Sequence, residues 1–239
     1  MWCPFMKYSP VSAEEAAVYL KSAPFRNFVF DVDDTLYLRS DPYIRAYQKC
    51  FHSRIENEGC WPEGAELFRI SRPFVEEEYL RRVKGEIDMN EMLVRRTLRS
   101  FSKCGIQLTA EEALLFEETY EKEQAHIRLI PQFGELLAEL CGSGREAFLG
   151  ILTNGPSAHQ RNKIHALGLT RWIPEEHIVV SGDIGVSKPE LAAFRIYEKK
   201  CGILPEDTVM IGDNLTADIQ GAEAAGWNTL WVKISGSVE

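Results

Sequence analysis

The 239-residue sequence has no surplus of positive charge: 27 Lys and Arg stand against 36 Asp and Glu, a formal net charge of −9. Neutralising nucleic-acid phosphates needs a basic face, so this balance argues against nucleic acid as a general partner. It leaves room for a local basic pocket that takes a small anion. No run approaches the roughly 18 apolar residues of a membrane helix, so no membrane span is expected. The first ten residues hold one Lys, two Pro and no sustained apolar run, unlike a signal peptide. Cysteine is sparse and scattered, at Cys3, Cys50, Cys60, Cys104, Cys141 and Cys201, with no C-x-x-C pair. That spacing predicts reduced thiols in a cytoplasmic protein rather than disulfides or a zinc site. Internal repeats and low-complexity tracts are missing too.

What is present is a globular profile, 45% hydrophobic, 26% charged and 10% aromatic, on a chain long enough to bury a core. Short apolar runs, each followed by a polar or glycine-bearing turn, stand at Phe28–Phe30, Phe148–Leu152, Ile178–Val180, Val209–Ile211 and Thr229–Val232. Their length and β-branched content suit strands of a parallel sheet buried on both faces. Segments of helical length and pattern separate the later runs, over 132–142, 157–168, 189–202 and 215–226. Strand alternating with helix predicts an α/β core.

Residues 41–127 break that rhythm. They contain no good strand candidate and many helix signals. Asp41-Pro42 reads as an N-cap followed by a first-turn proline, and Thr109 with Glu112 as a capping box. Gly59, Gly85 and Gly105 read as helix ends. The segment is too long for one crossover connection and is expected to form an insert of about four helices. The core is then 1–40 plus 128–239. Ser12 and Glu15 form a further capping box at the start of a short apolar helix ending near Leu20.

The first run ends in Asp31-Val32-Asp33-Asp34-Thr35. Three carboxylates within four residues repel one another, and burying them needs a cation or protonation. In extended chain, positions 31 and 33 point the same way, toward the carboxyl edge where open parallel sheets bind ligands. A solvated acidic turn is the plainer alternative. The second run ends in Thr153-Asn154-Gly155, where backbone N–H groups leading into a helix could receive phosphate oxygens, although Asn-Gly is also a common turn. In Ser187-Lys188-Pro189-Glu190 a capping box accounts for Ser187 and Glu190. Lys188 would oppose the helix dipole unless an anion lies nearby. The fourth run leads into Gly212-Asp213-Asn214-Leu215-Thr216-Ala217-Asp218. Asp213 with Asp31 offers the oxygen ligands Mg²⁺ prefers, and the alternative is that Asp213 only caps the next helix. Together these strand ends describe a site for a phosphoryl group and a divalent cation.

In this order, Asp31-x-Asp33-x-Thr35, Thr153-Asn154-Gly155, Lys188 before Pro189, and Gly212-Asp213-x-x-x-x-Asp218 resemble the four motifs of the haloacid dehalogenase superfamily. The resemblance spans about residues 26–220. It implies a Rossmann-like parallel sheet flanked by helices, with 41–127 as an all-helical cap. It also implies roles. Asp31 would be the nucleophile that forms an aspartyl-phosphate. Asp33 would act as general acid and then base, with its carbonyl oxygen on the metal. Thr153 and the N–H of Asn154 would hold phosphoryl oxygens, and Lys188 would balance charge. Mg²⁺ would be bound by Asp31, Asp33 and Asp213, with Asp218 and Asn214 in support. An acid at position 33 favours phosphate esters over carbon–halogen bonds, because an alkoxide needs a proton to leave and a halide does not. A phosphomutase of the same superfamily would keep this acid.

Two other classes share parts of this pattern. A signalling receiver domain also sets Asp, Thr and Lys at strand ends, but it is shorter, lacks the insert and orders its acidic residues differently. A silent binding protein on the same scaffold would be expected to have lost a motif residue, and none is lost. Within the insert, Arg95, Arg96 and Arg99, near Arg81, Arg82 and Lys84, could meet an anionic leaving group, but a solvated face paired with neighbouring Glu is the simpler expectation. Tyr43 and Tyr47, one helical turn apart, are expected in packing between cap and core rather than in a pocket lining. The expected partner is a small phosphate ester such as a nucleotide monophosphate, phosphoglycolate or a sugar phosphate, with resemblance leaning toward a nucleotidase.

Overall fold

Five short strands form one parallel sheet: β1 (Asn27–Phe30), β2 (Phe148–Thr153), β3 (Ile178–Val180), β4 (Thr208–Gly212) and β5 (Asn228–Trp231), in the order β3-β2-β1-β4-β5. The computed structural model describes residues 9–142, 144 and 146–234. Cys3 and most of the N-terminal segment considered above for a signal peptide lie outside the described residues. Pairing sets Phe30 beside both Ile151 and Ile211, so the central strand and its two neighbours end close to one level. The chain steps outward from β1 through β2 to β3, then returns on the other side as β4 and β5. The reversal lies between β1 and β4, where doubly wound sheets open a crevice at the carboxyl edge.

The apolar runs are continuous because the sheet is covered on both faces. Phe28, Val29 and Phe30 are fully buried. Alternate side chains leave on opposite faces: Phe30 meets Phe133 edge-on at 6.1 Å, while Val29 joins Met210, Phe194, Tyr197 and Trp227 in one cluster. Phe133 belongs to α6 (Pro131–Gly142), on which α1 (Ala13–Ser22) packs. Phe194 and Tyr197 belong to α9 (Leu191–Cys201). The Ser12–Glu15 capping box is present at the start of α1.

The chain divides into two compact units, one built from the segments up to Leu38 and from Arg128 onward, the other from Arg39–Ile127. The first unit is closed where the second leaves it: the Ile130 N–H donates to the Leu36 carbonyl at 2.9 Å. The second unit holds four helices, α2 (Ser40–Glu58), α3 (Gly64–Val83), α4 (Met89–Lys103) and α5 (Ala110–Gln124). Tyr43, Tyr47 and Phe51 recur every four residues and so share one face of α2. They pack inside this unit with Phe68, Phe101 and Phe116, with ring separations of 5.0 Å for Tyr43–Phe116 and 5.2 Å for Phe51–Phe101. The tyrosines therefore build the insert's own core, which corrects the expectation of packing between cap and core. The arginines are paired, as the simpler expectation had it: Arg95 and Arg99 meet Glu78, and Arg96 meets Glu117. Arg96 and Glu117 are not solvated, however, since the pair is largely buried.

Local boundaries differ in four places. Helix α2 begins at Ser40 with Arg39 as N-cap, so Asp41 lies inside the first turn. Only one hydrogen bond of the expected Ser187–Glu190 box forms, Ser187 N–H to Glu190 Oε1 at 3.4 Å, and Glu190 is itself the N-cap of α9. Lys188 therefore precedes the helix and does not oppose its dipole. The single helix expected over 215–226 is a π-helical turn, Leu215–Gln220, followed by α10 (Gly221–Ala224). Its N-cap is Asn214, whose side chain accepts from the N–H groups of Thr216 and Ala217, so Asp213 is not the cap. We expect Phe101→Ala, which empties the centre of the aromatic cluster, to weaken the helical unit by about 3–5 kcal/mol. Hydrogen exchange should show lost protection across α2–α5.

Candidate active site

The motif residues of the sheet unit meet at its carboxyl edge. Asp31 continues the β1 pairing by donating its N–H to Ile211 O at 2.9 Å. The chain then turns, with Leu36 N–H donating to Val32 O at 3.0 Å and Asp34 in the left-handed region at φ 55°, a conformation aspartate adopts more readily than most residues. Lys188, remote in sequence, sends its ammonium to Asp31 Oδ1 at 2.7 Å and to Asp218 Oδ1 at 2.6 Å. All three residues are buried.

Asp213 completes the group. Asp31, Asp213 and Asp218 each offer a carboxylate oxygen within 4.8 Å of the others. Thr35 Oγ1 lies 3.3 Å from Asp213 Oδ1, and the Trp231 indole N–H donates to the Asp213 carbonyl at 2.7 Å. Asp218 is fixed from the other side by the Asn214 N–H, which donates to its Oδ2 at 3.0 Å. Gly212 allows this packing: a Cβ at that position would lie 2.3 Å from Asp218 Oδ2.

At the end of β2, Thr153 is fully buried. Asn154 clasps the backbone of Lys188 twice, accepting from its N–H at 2.9 Å and donating to its carbonyl at 2.8 Å. Its side chain thus positions the lysine, which the sequence did not reveal. The Gly155 N–H donates to Ser181 Oγ at 2.9 Å, at the start of α8 (Ser181–Ile184). The anion that the sequence called for near Lys188 is present as two carboxylates, Asp31 and Asp218.

The Asp33 carboxylate stands outside the three-carboxylate group. Lys163 Nζ contacts its Oδ1 and Oδ2 at 2.8 and 2.9 Å, Gln160 Nε2 donates to Oδ2 at 3.0 Å, and the Tyr37 hydroxyl donates to Oδ1. Of the Asp33 atoms, its backbone carbonyl is the one the resemblance assigns to a metal. Gln160 and Lys163 lie on α7 (Ser157–Ala166) and were not anticipated. A signal existed: counting back from Leu167 and Ile164 along the buried face of a helix reaches Lys163 and Gln160.

Charge crowding sets the electrostatics. The Asp31 carboxyl is raised from 3.8 to about 6: burial pushes it up most, Lys188 pulls it back, and Asp218 and Asp33 add to the rise. Burial disfavours the charged form of Lys188, but Asp218 and Asp31 hold its ammonium above the usual lysine range. Three carboxylates gathered within 4.8 Å, with one lysine bridging only two of them, fit a small divalent cation such as Mg²⁺.

Residues 25–226 match the model of the haloacid dehalogenase-like hydrolases. The chain belongs to this family. Among curated relatives of this haloacid dehalogenase-like hydrolase, the phosphoserine phosphatase of Thermus thermophilus is 34% identical over 51% of the chain, a match spanning about half of that protein (47%). The glyceraldehyde 3-phosphate phosphatase of Methanopyrus kandleri is 29% identical over 86% of the chain and 82% of its own length. The solved structure of the HAD-hydrolase YfnB of Bacillus subtilis, bound to magnesium, superposes with a TM-score of 0.64 at 25% identity, covering 87% of this chain and 89% of that one. Both curated relatives are phosphatases by name. No helix among the described residues is long and apolar enough to cross a membrane.

The raised Asp31 value carries a stability consequence. The folded protein holds this proton more tightly than the unfolded chain, so ionising Asp31 costs stability as pH rises through about 6. In EDTA at pH 8, Asp31→Asn should raise Tm by a few degrees, on the order of 2 kcal/mol. The gain should shrink as pH falls from about 6 toward 4, where the wild-type carboxyl becomes neutral. Scanning calorimetry across that range checks it, and a variant less stable than wild type at pH 8 would contradict it.

Proposed function

We propose that the chain is a magnesium-dependent phosphate monoester hydrolase that acts on a small phosphorylated metabolite through an aspartyl-phosphate on Asp31. The observation that carries this reading is the Lys188 ammonium held between Asp31 and Asp218 at 2.7 and 2.6 Å. A buried cation beside a carboxylate at the open edge of the sheet is suited to balance both the nucleophile and an incoming phosphoryl group. In the first displacement an Asp31 oxygen bonds to phosphorus, the ester P–O bond breaks, and the leaving oxygen takes a proton from Asp33, departing as an alcohol. In the second, water attacks phosphorus and gives a proton to the Asp33 carboxylate. The bond between phosphorus and Asp31 breaks, releasing inorganic phosphate and restoring both residues.

Thr153 and the backbone N–H of Asn154 would hold phosphoryl oxygens, with the Asn154 side chain keeping Lys188 in place. Asp31, the Asp33 carbonyl and Asp213 would hold Mg²⁺, with Asp218 and Asn214 behind them. When bound, the cation supplies charge neutralisation for the transferring group. The proton donor at Asp33 supports ester hydrolysis over carbon–halogen cleavage. The relatives named for phosphoserine and glyceraldehyde 3-phosphate support a compact, polar metabolite as substrate. A cytoplasmic location belongs to the same reading, supported by the scattered cysteine pattern.

Asp31→Asn should abolish phosphate release from p-nitrophenyl phosphate in Mg²⁺, a loss of at least about 10³-fold, while circular dichroism stays native. EDTA should abolish wild-type release, and Mg²⁺ should restore it. Near-normal turnover by Asp31→Asn would remove Asp31 as the nucleophile.

A further inference from the structure

The residues that hold Asp33 do more than neutralise it. Lys163 is 5% exposed, and its ammonium spans both oxygens of the Asp33 carboxylate, at 2.8 and 2.9 Å. One donor bridging two oxygens fixes the direction in which the carboxyl group points. Gln160, one helical turn earlier and 1% exposed, uses one amide nitrogen on three acceptors: Asp33 Oδ2 at 3.0 Å, Thr153 Oγ1 at 2.9 Å and Asn154 O at 2.8 Å. Its Oε1 is buried with no hydrogen-bond partner. A native protein retains such an unsatisfied atom only where something else demands the arrangement. Turning the amide over would bring Oε1 against those three oxygens, so the orphan follows from serving them. Because Thr153 Oγ1 accepts from Gln160, its own hydroxyl proton is left to donate elsewhere.

We propose that Gln160 and Lys163 are positioning residues of the hydrolytic reaction: together they aim the Asp33 carboxyl group at the leaving oxygen and set the Thr153 hydroxyl as a donor to the phosphoryl group. This rests on the function proposed above. The pair acts through Asp33, so its contribution grows with the leaving group's need for a proton. p-Nitrophenolate leaves readily unprotonated, whereas phenolate is a poorer leaving group that gains from a proton donor. kcat/KM reports only the steps through leaving-group departure, so it isolates the proton-donating role from the later attack of water.

The test measures kcat/KM for p-nitrophenyl phosphate and phenyl phosphate in Mg²⁺, with wild type, Lys163→Met, Lys163→Arg and Gln160→Leu. Lys163→Met and Gln160→Leu should each lose about tenfold or more beyond their p-nitrophenyl phosphate loss when assayed on phenyl phosphate. Lys163→Arg, which keeps a cationic donor, should recover most of that differential. Gln160→Leu is nearly isosteric and introduces no charge, so it reports even where Lys163→Met does not fold. Equal losses on the two esters, no loss, or a gain on phenyl phosphate would overturn the assignment. A wild type inactive on both esters would instead bring down the hydrolase reading beneath it.

Discussion

Like-charge repulsion at the carboxyl edge of the sheet is the constraint around which the site is built. Asp31, Asp213 and Asp218 converge within one small volume, and such a gathering in a largely buried place survives only with compensation. Lys188 supplies the first part by bridging two of the three. Its own placement is over-determined: Asn154 holds its backbone from both sides, and Asp218 is in turn gripped by the Asn214 N–H. The remaining negative charge is what the proposed function assigns to a cation and an incoming phosphoryl group. A protein optimised for stability alone would have no use for this arrangement, and a carboxyl group pushed to about 6 is the visible cost.

A second, separate charge pair stands beside the first. Asp33 with Lys163 forms its own satisfied unit, joined to the rest through Gln160 and Thr153. Keeping the two pairs apart allows one carboxylate to share a cluster with others while its neighbour two residues away keeps a different set of partners. The turn after the strand separates them, since in extended chain positions 31 and 33 would point the same way.

Much of the scaffold was legible because strand order and strand burial leave a strong mark on sequence. Runs such as Phe28–Phe30 are apolar at every position because both faces of the sheet are covered, and the four motifs lie at their ends. Residues that act through geometry alone were harder to read. Lys163 is one of 27 basic residues, and nothing local marks it as buried except the helical spacing to Leu167. The clasp between Asn154 and Lys188 joins positions 34 residues apart in sequence, and it involves backbone groups that every residue possesses. Helix boundaries near Pro42 and Glu190 shifted for a similar reason: capping signals name residue types, while the neighbouring chain decides which of them does the capping.

The hydrogen bond from Ile130 to Leu36 makes the sheet unit self-contained at its one interruption. It stitches the sheet unit shut at the place where the helical excursion departs and returns, so the two points of attachment form a single doorway. The seam's own backbone groups are thereby satisfied within the sheet unit and ask nothing of the helices.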